Sequence, residues 1–275
     1  MPKGVEELLD VVQEHPEAVV YAGGTDVLVG MAKGSLEADV LVCLEGVGEL
    51  KGIEDRERDI WIGAGNTHAQ ILASSLIKHE AEVLWKAVGV IGSVQIRAMG
   101  TIGGNLATAS PAGDTLGPLV VLGARVELAG RDGRRWLGVE EFLLGPGKTA
   151  LRPGEIIVGV QIPKRGDWQV HYYEKVGRRR AVAIGVVNMA AMVRLERGVV
   201  AEARVAFGAV GPTVMRLREV EEFLQGRRLE RGVLAEAGQL AARLVRPIDD
   251  IRASASYRRA VVSRLMLRLE RQCEG

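Results

Sequence analysis

A chain of 275 residues is long enough to build two domains, each with an adequate core. Its 36 Lys and Arg balance 35 Asp and Glu to a net charge of +1, and the bases are scattered among acids, which excludes electrostatic tracking of nucleic acid or a membrane surface. The two cysteines, Cys43 and Cys273, form no CxxC pair and exclude a chain-encoded iron–sulfur cluster.

The first predicted element is a helix over Val5–Glu14, because Val5, Leu8, Leu9 and Val12 recur on one face. His15-Pro16 stops it, since proline disfavours a helical residue before it. A short strand at Val19–Tyr21 runs into the small-residue turn Ala22-Gly23-Gly24-Thr25-Asp26. A short helix or turn follows at 27–31, then buried strands at 40–43 and 60–63, the second entered from a charged, hairpin-like segment. Residues 67–74 and 81–90 carry helical patterns, and 91–98 reads as a linker into a second glycine turn, Thr101-Ile102-Gly103-Gly104-Asn105. The apolar run Leu116–Leu122 precedes a strand at 124–129, the turn Arg131-Asp132-Gly133 and a strand at 156–162 that ends at Pro163.

The polar, glycine-containing stretch 164–168 is the predicted boundary between a domain at 1–164 and another at 165–275. Beyond it, 170–174, 186–195 and 203–207 read as three antiparallel strands, followed by helices at Arg218–Leu224, 230–244 and 256–270. The class is α+β. No 18–20-residue apolar run of the kind a membrane span needs is present, and the N-terminus lacks the basic-then-apolar layout of a secretory signal, so the expected location is cytoplasmic.

The chemistry concentrates in the two glycine turns and the tail Ser110-Pro111-Ala112-Gly113-Asp114. Without Cβ atoms, glycine pairs let backbone N–H groups approach a bulky anion, and two such turns predict a pyrophosphate held from two sides. Neither supplies GxGxxG at a strand-to-helix turn, and no P-loop lysine follows, so a doubly wound dinucleotide fold is excluded. Thr25 and Thr101 read equally as helix caps or as donors to an anion. Asp26 reads as structural, facing away from any phosphate. Asp114 is either a helix N-cap or a ligand contact, and Lys175 either a solvated base beside Arg178-Arg179-Arg180 or a cation near the ligand. His15, His68, His79 and His171 lack metal-ligand spacing and read as surface or capping residues.

Taken together, AGGTD at 22–26 with Met31 and Lys33, QIR at 95–97, TIGGN at 101–105, Tyr173-Glu174-Lys175 with Arg178, and the run from Asp250 to Arg259 resemble the FAD-binding subunits of molybdenum hydroxylases. The resemblance spans nearly the whole chain. It implies a two-subdomain FAD-binding domain of the vanillyl-alcohol-oxidase-like type, followed by a small C-terminal domain of three-stranded antiparallel sheet plus helices. It also implies noncovalent, extended FAD. Its pyrophosphate would lie at Ala22, Gly23, Gly24, Thr25 and Asp26 and at Thr101, Ile102, Gly103 and Gly104. Asn105, Ser110 and Asp114 would lie beside the flavin, with contacts from near Ile91, Ile157 and Lys175. No catalytic residue and no metal ligand is expected. The implied partners are an iron–sulfur subunit and a molybdopterin subunit, with NAD, quinone or oxygen as the external electron acceptor. A freestanding flavin oxidoreductase and a flavin-free scaffold subunit are the alternatives. Some relatives place an aromatic residue over the flavin after the Tyr-Glu-Lys segment; residues 181–191 contain none.

Overall fold

A computed structural model of the chain describes residues 1–164, 166–179 and 183–272. Within the predicted boundary stretch and arginine triplet, Arg165 and Arg180 lie outside the described residues, as do Ala181, Val182 and Cys273. In the first unit, α1 (Val5–Glu14) packs its Val5, Leu8, Leu9 and Val12 face inward, and β1 (Val19–Tyr21) pairs in parallel with β2 (Leu41–Cys43). Between the two strands runs α2 (Val27–Ala32), which buries no residue.

The second unit opens with the hairpin β3 (Ile53–Asp55) and β4 (Asp59–Gly63). A run of short helices follows: α3 (His68–Ala73), α4 (Ser75–Glu80), α5 (Glu82–Gly89), α6 (Val94–Met99), α7 (Ile102–Thr108) and α8 (Leu116–Leu122). Strands β5 (Arg125–Gly130) and β6 (Gly133–Gly138), helix α9 (Val139–Phe142), the small pair β7 (Leu143–Gly145) and β8 (Lys148–Thr149), and β9 (Ile156–Pro163) complete it. The main sheet has the order β3-β4-β9-β5-β6 and is antiparallel throughout. Because side chains alternate across a strand, this sheet feeds two cores. Trp61, Ile156 and Val158 face α1, whereas Ile60, Ile62, Ile157 and Val160 face the helices. Gly159 is required here, since a Cβ at that position would sit 2.6 Å from the Trp61 indole.

The C-terminal part begins with β10 (Val170–Val176), β11 (Val187–Glu196) and β12 (Val199–Gly208), paired in that order. A two-residue strand β13 (Met215–Arg216) adds a fourth to the three predicted. Helices α10 (Arg218–Leu224), α11 (Arg231–Leu244) and α12 (Ala255–Met266) cover one face and share its core with Val205, Phe207 and Met189. The other face presents Ala190, Met192 and Ala206 to the core that holds Leu116, Leu119 and Val120 of α8. Every residue of α8 is buried, so this helix is the joint between the two parts.

Arg258 fastens the last segment. Its guanidinium is 1% exposed and donates to the carbonyls of Val186 and Ala209 and to Asp250.

Candidate functional site

The two glycine turns, about 80 residues apart in sequence, meet in space. A Cβ on Gly23 would lie 1.7 Å from the carbonyl oxygen of Met99, so the first loop lies directly on the backbone that leads into α7. Thr25 Oγ1 and the His68 ring both lie over Gly100. At the far end of α7, Thr108 Oγ1 donates to Asp26 Oδ2 at 2.8 Å, which turns that carboxylate toward the helix. Gly24 takes a φ of +67°, a conformation open to glycine at no steric cost.

The loops differ in what they offer. Among the described residues, the amides of Gly23, Gly24, Thr25 and Asp26 donate to no protein acceptor, leaving a row of N–H groups of the kind that binds an anion. In the second loop three amides are committed: Ile102 N–H donates to the Asn66 carbonyl, Gly103 N–H to the Ala64 carbonyl, and Gly104 N–H to Thr101 Oγ1, whereas Thr101 N–H donates to no protein acceptor among the described residues. The second turn thus offers fewer free amides than the first. TIGGN is no loop but the first turn of α7, and Thr101 is its N-cap. The sequence missed the helix because a glycine pair is a poor helix former; the cap and the packing of Gly103 on Ala64 outweigh that propensity. What this turn contributes is shape. Gly104 is exposed, and a Cβ there would meet only Thr101 Oγ1.

Asp114 and Lys175, read separately from sequence, are partners. Lys175 Nζ donates to Asp114 Oδ2 at 2.7 Å and to the Val90 carbonyl at 3.1 Å, and Tyr173 OH donates to Asp114 Oδ1 at 2.7 Å. The Asp114 carboxyl sits above its ordinary range because burial outweighs the opposing Lys175 charge and the hydrogen bonds from Lys175 and Tyr173. Burial and the neighbouring carboxylate push the Tyr173 phenol well up. Asp114 is not an N-cap: Thr115 occupies that place on α8, and its hydroxyl donates to Asn105 Oδ1 at 2.5 Å. Tyr173 belongs to this cluster although sequence reasoning did not assign it a site; its Tyr-Glu-Lys spacing, which puts residues 173 and 175 on one strand face, was the available signal.

The remaining expected residues are spread around this seam. Ser110 Oγ accepts from the Ala112 amide in the turn before Asp114. The Ile91 carbonyl accepts from Arg97 Nη1 at 2.7 Å, and its side chain is buried in the main core. Ile157 is likewise a core residue, opposite Leu128 in the sheet. Ala22 leads out of β1 into the first loop. His68, expected as a surface or capping residue, is buried at 3% exposure as the first residue of α3, behind the Thr67 cap. Burial, and then the Arg97 charge, lower its pKa to about 4, and Nδ1 has no hydrogen-bond partner among the described residues.

A row of unpaired amides faces a helix turn that carries two glycines, and a buried Asp114–Lys175–Tyr173 cluster lies along the same seam. The comparisons make the class specific. Residues 1–165 match the family model described as FAD binding domain in molybdopterin dehydrogenase, and residues 171–272 match the CO dehydrogenase flavoprotein C-terminal domain. The chain belongs to this family of FAD-binding oxidoreductase subunits, and its cofactor is FAD. The nicotinate dehydrogenase FAD-subunit of Eubacterium barkeri is 33% identical over 232 residues, covering 82% of this chain and 78% of that one. The xanthine dehydrogenase FAD-binding subunit of Escherichia coli O157:H7 is 29% identical over 256 residues, covering 92% and 87%. Among solved structures, a cyanide-inactivated Cu,Mo-CO dehydrogenase superposes with a TM-score of 0.95 at 28% identity, over 99% of this chain and 96% of that one.

Proposed function

We propose that this chain is the electron-transfer subunit of a molybdenum hydroxylase complex. It takes electrons from the iron–sulfur clusters of one partner, which receives them from a molybdopterin subunit, and delivers them through FAD to NAD, quinone or oxygen. The observation that carries this reading is the seam between the 22–26 loop and the start of α7, with its unpaired amides on one side and exposed Gly104 on the other. FAD supplies the redox chemistry when bound.

The chain's own residues bind, orient and tune. The amides of Gly23 to Asp26 take the diphosphate, while Thr101, Ile102, Gly103 and Gly104 shape the opposite wall. Asp26 is held away from the anion by Thr108, which removes a like-charge repulsion. Asn105 and Ser110 lie on the way to Asp114, where the Asp114–Lys175–Tyr173 cluster sets the charge beside the flavin. Ile91 and Ile157 act from behind this layer. In the same reading the chain divides near residue 164, a placement supported by the interval between the two matched family models.

Purification of the chain with co-expressed iron–sulfur and molybdopterin subunits tests the proposal. The expected result is a three-part complex with visible flavin absorbance that bleaches when the molybdenum substrate is added and returns with the acceptor. Flavin turnover of a small substrate without partners would support the freestanding oxidoreductase instead. A chain that stays colourless in excess FAD, alone and in the complex, would support the scaffold.

A further inference from the structure

Resting on the FAD reading, we propose that His68 is the titratable counter-charge of the diphosphate site: its ring takes up a proton when the anion settles on the 22–26 amides. The ring is buried at the back of that loop. Its Cδ2 lies 3.3 Å from where a Gly100 Cβ would stand, and Thr25 Oγ1 approaches the same point at 3.4 Å. The His68 amide donates to the Gly100 carbonyl at 2.9 Å, so the backbone fixes the ring beneath the seam. Neither ring nitrogen has a protein partner among the described residues, and the Nδ1 atom is fully buried. Cδ2 is bonded to Nε2, so the ring edge that meets the seam carries a nitrogen with no protein partner, and a ligand charge on the nearby free amides would be its complement.

The charges around the ring fit this role. Arg97 of α6 is the cation that acts on it and disfavours protonation while the loop is empty. The other elements against α3 carry Lys78, His79 and Glu80 on α4 and Glu82 and Lys86 on α5, paired among themselves as Lys86–Glu82 and His79–Glu80. Asp26, on the loop itself, is bound to Thr108. A diphosphate diester carries two negative charges and reverses the local sign, so it favours the imidazolium. Loading then draws one proton from solution, and affinity rises about tenfold per pH unit as pH falls between the loaded and empty values of the histidine.

The test is NMR of the full chain with labelled histidine, the His68 signal being assigned with His68→Asn, during titration with FAD and with ADP-ribose. ADP-ribose carries the same diphosphate diester without a flavin. Without ligand, His68 is expected to stay neutral from pH 5.5 to 8; with either ligand it titrates near neutrality, and His68→Asn binds with no pH dependence over that range. FAD binding with a His68 signal that stays neutral overturns the inference and leaves the cofactor reading intact. If FAD fails to bind while ADP-ribose binds and protonates His68, the cofactor reading fails and the inference stands. If neither binds at millimolar concentration, both fall.

Discussion

Gly23 and Gly104 face the same seam for opposite reasons, and their substitution separates fold from cofactor binding. An added methyl at residue 23 collides with the Met99 carbonyl. Gly23→Ala is expected to cost about 1–3 kcal/mol of stability as well as flavin, since backbone atoms must move. Gly104→Ala meets only a hydroxyl in a helical turn and is expected to leave stability within about 1 kcal/mol of the parent. It should nevertheless lower flavin content at least tenfold. Urea midpoints and flavin-to-protein absorbance ratios check both. His68 gives a pH signature of its own. Its pKa falls from 6.5 to about 4 on folding, so its contribution is complete above 6.5 and is lost as pH falls through that interval. About 3 kcal/mol of stability should disappear between pH 7 and pH 4 in flavin-free protein, and His68→Gln should remove most of that dependence in urea titrations.

At the level of elements, what could be read from the sequence followed hydrophobic periodicity. The α1 face was legible residue by residue, because its apolar positions keep the helical period, and α10 was read to its bounds; β10 and β11 were read to within two residues, but only the 203–207 half of β12 was. Helix α6 was read as a linker because its apolar residues face outward: Val94 and Met99 are more than half exposed, so no inward stripe exists to detect. Strand β6 carries Arg134 and Arg135 beside a lone Trp136 and lacks alternation. The link from Asp114 to Tyr173 and Lys175 spans some 60 residues and depends on how the sheet docks, which no local pattern encodes.

The segment before α12 carries a further prediction. Burial raises the Asp250 pKa, but hydrogen bonds from Arg252, the Arg252 and Ala253 amides and Arg258 outweigh it and leave the group well below the ordinary 3.8. Its stabilisation is present above that value and is lost as pH falls toward the folded one. Asp250→Asn should lower the urea midpoint at pH 7, and the gap to the parent should narrow steadily below pH 4.

For the whole molecule, α8 and the Asp114–Lys175–Tyr173 cluster bind the C-terminal sheet to the rest of the chain. Breaking one side of a buried ion pair leaves a stranded charge and typically costs about 3–5 kcal/mol, whereas removing both sides costs far less. Asp114→Asn is expected in that range, with Asp114→Asn/Lys175→Met recovering more than half of it. Equilibrium denaturation followed by tryptophan fluorescence measures both. Recovery of activity is not expected, because the double variant restores packing without restoring charge.

The contact of the first loop with the end of α6 and with α7 rests on a glycine laid against the Met99 carbonyl and one threonine–aspartate hydrogen bond. A molecule that fits this crease clamps the two flaps together, and ligand held only by the closed form adds about 2.7 kcal/mol at a hundredfold excess over its dissociation constant. With FAD seated there, the lifetime of the polypeptide follows the supply of its vitamin precursor, and limited proteolysis is expected to cut flavin-free chain faster than filled chain.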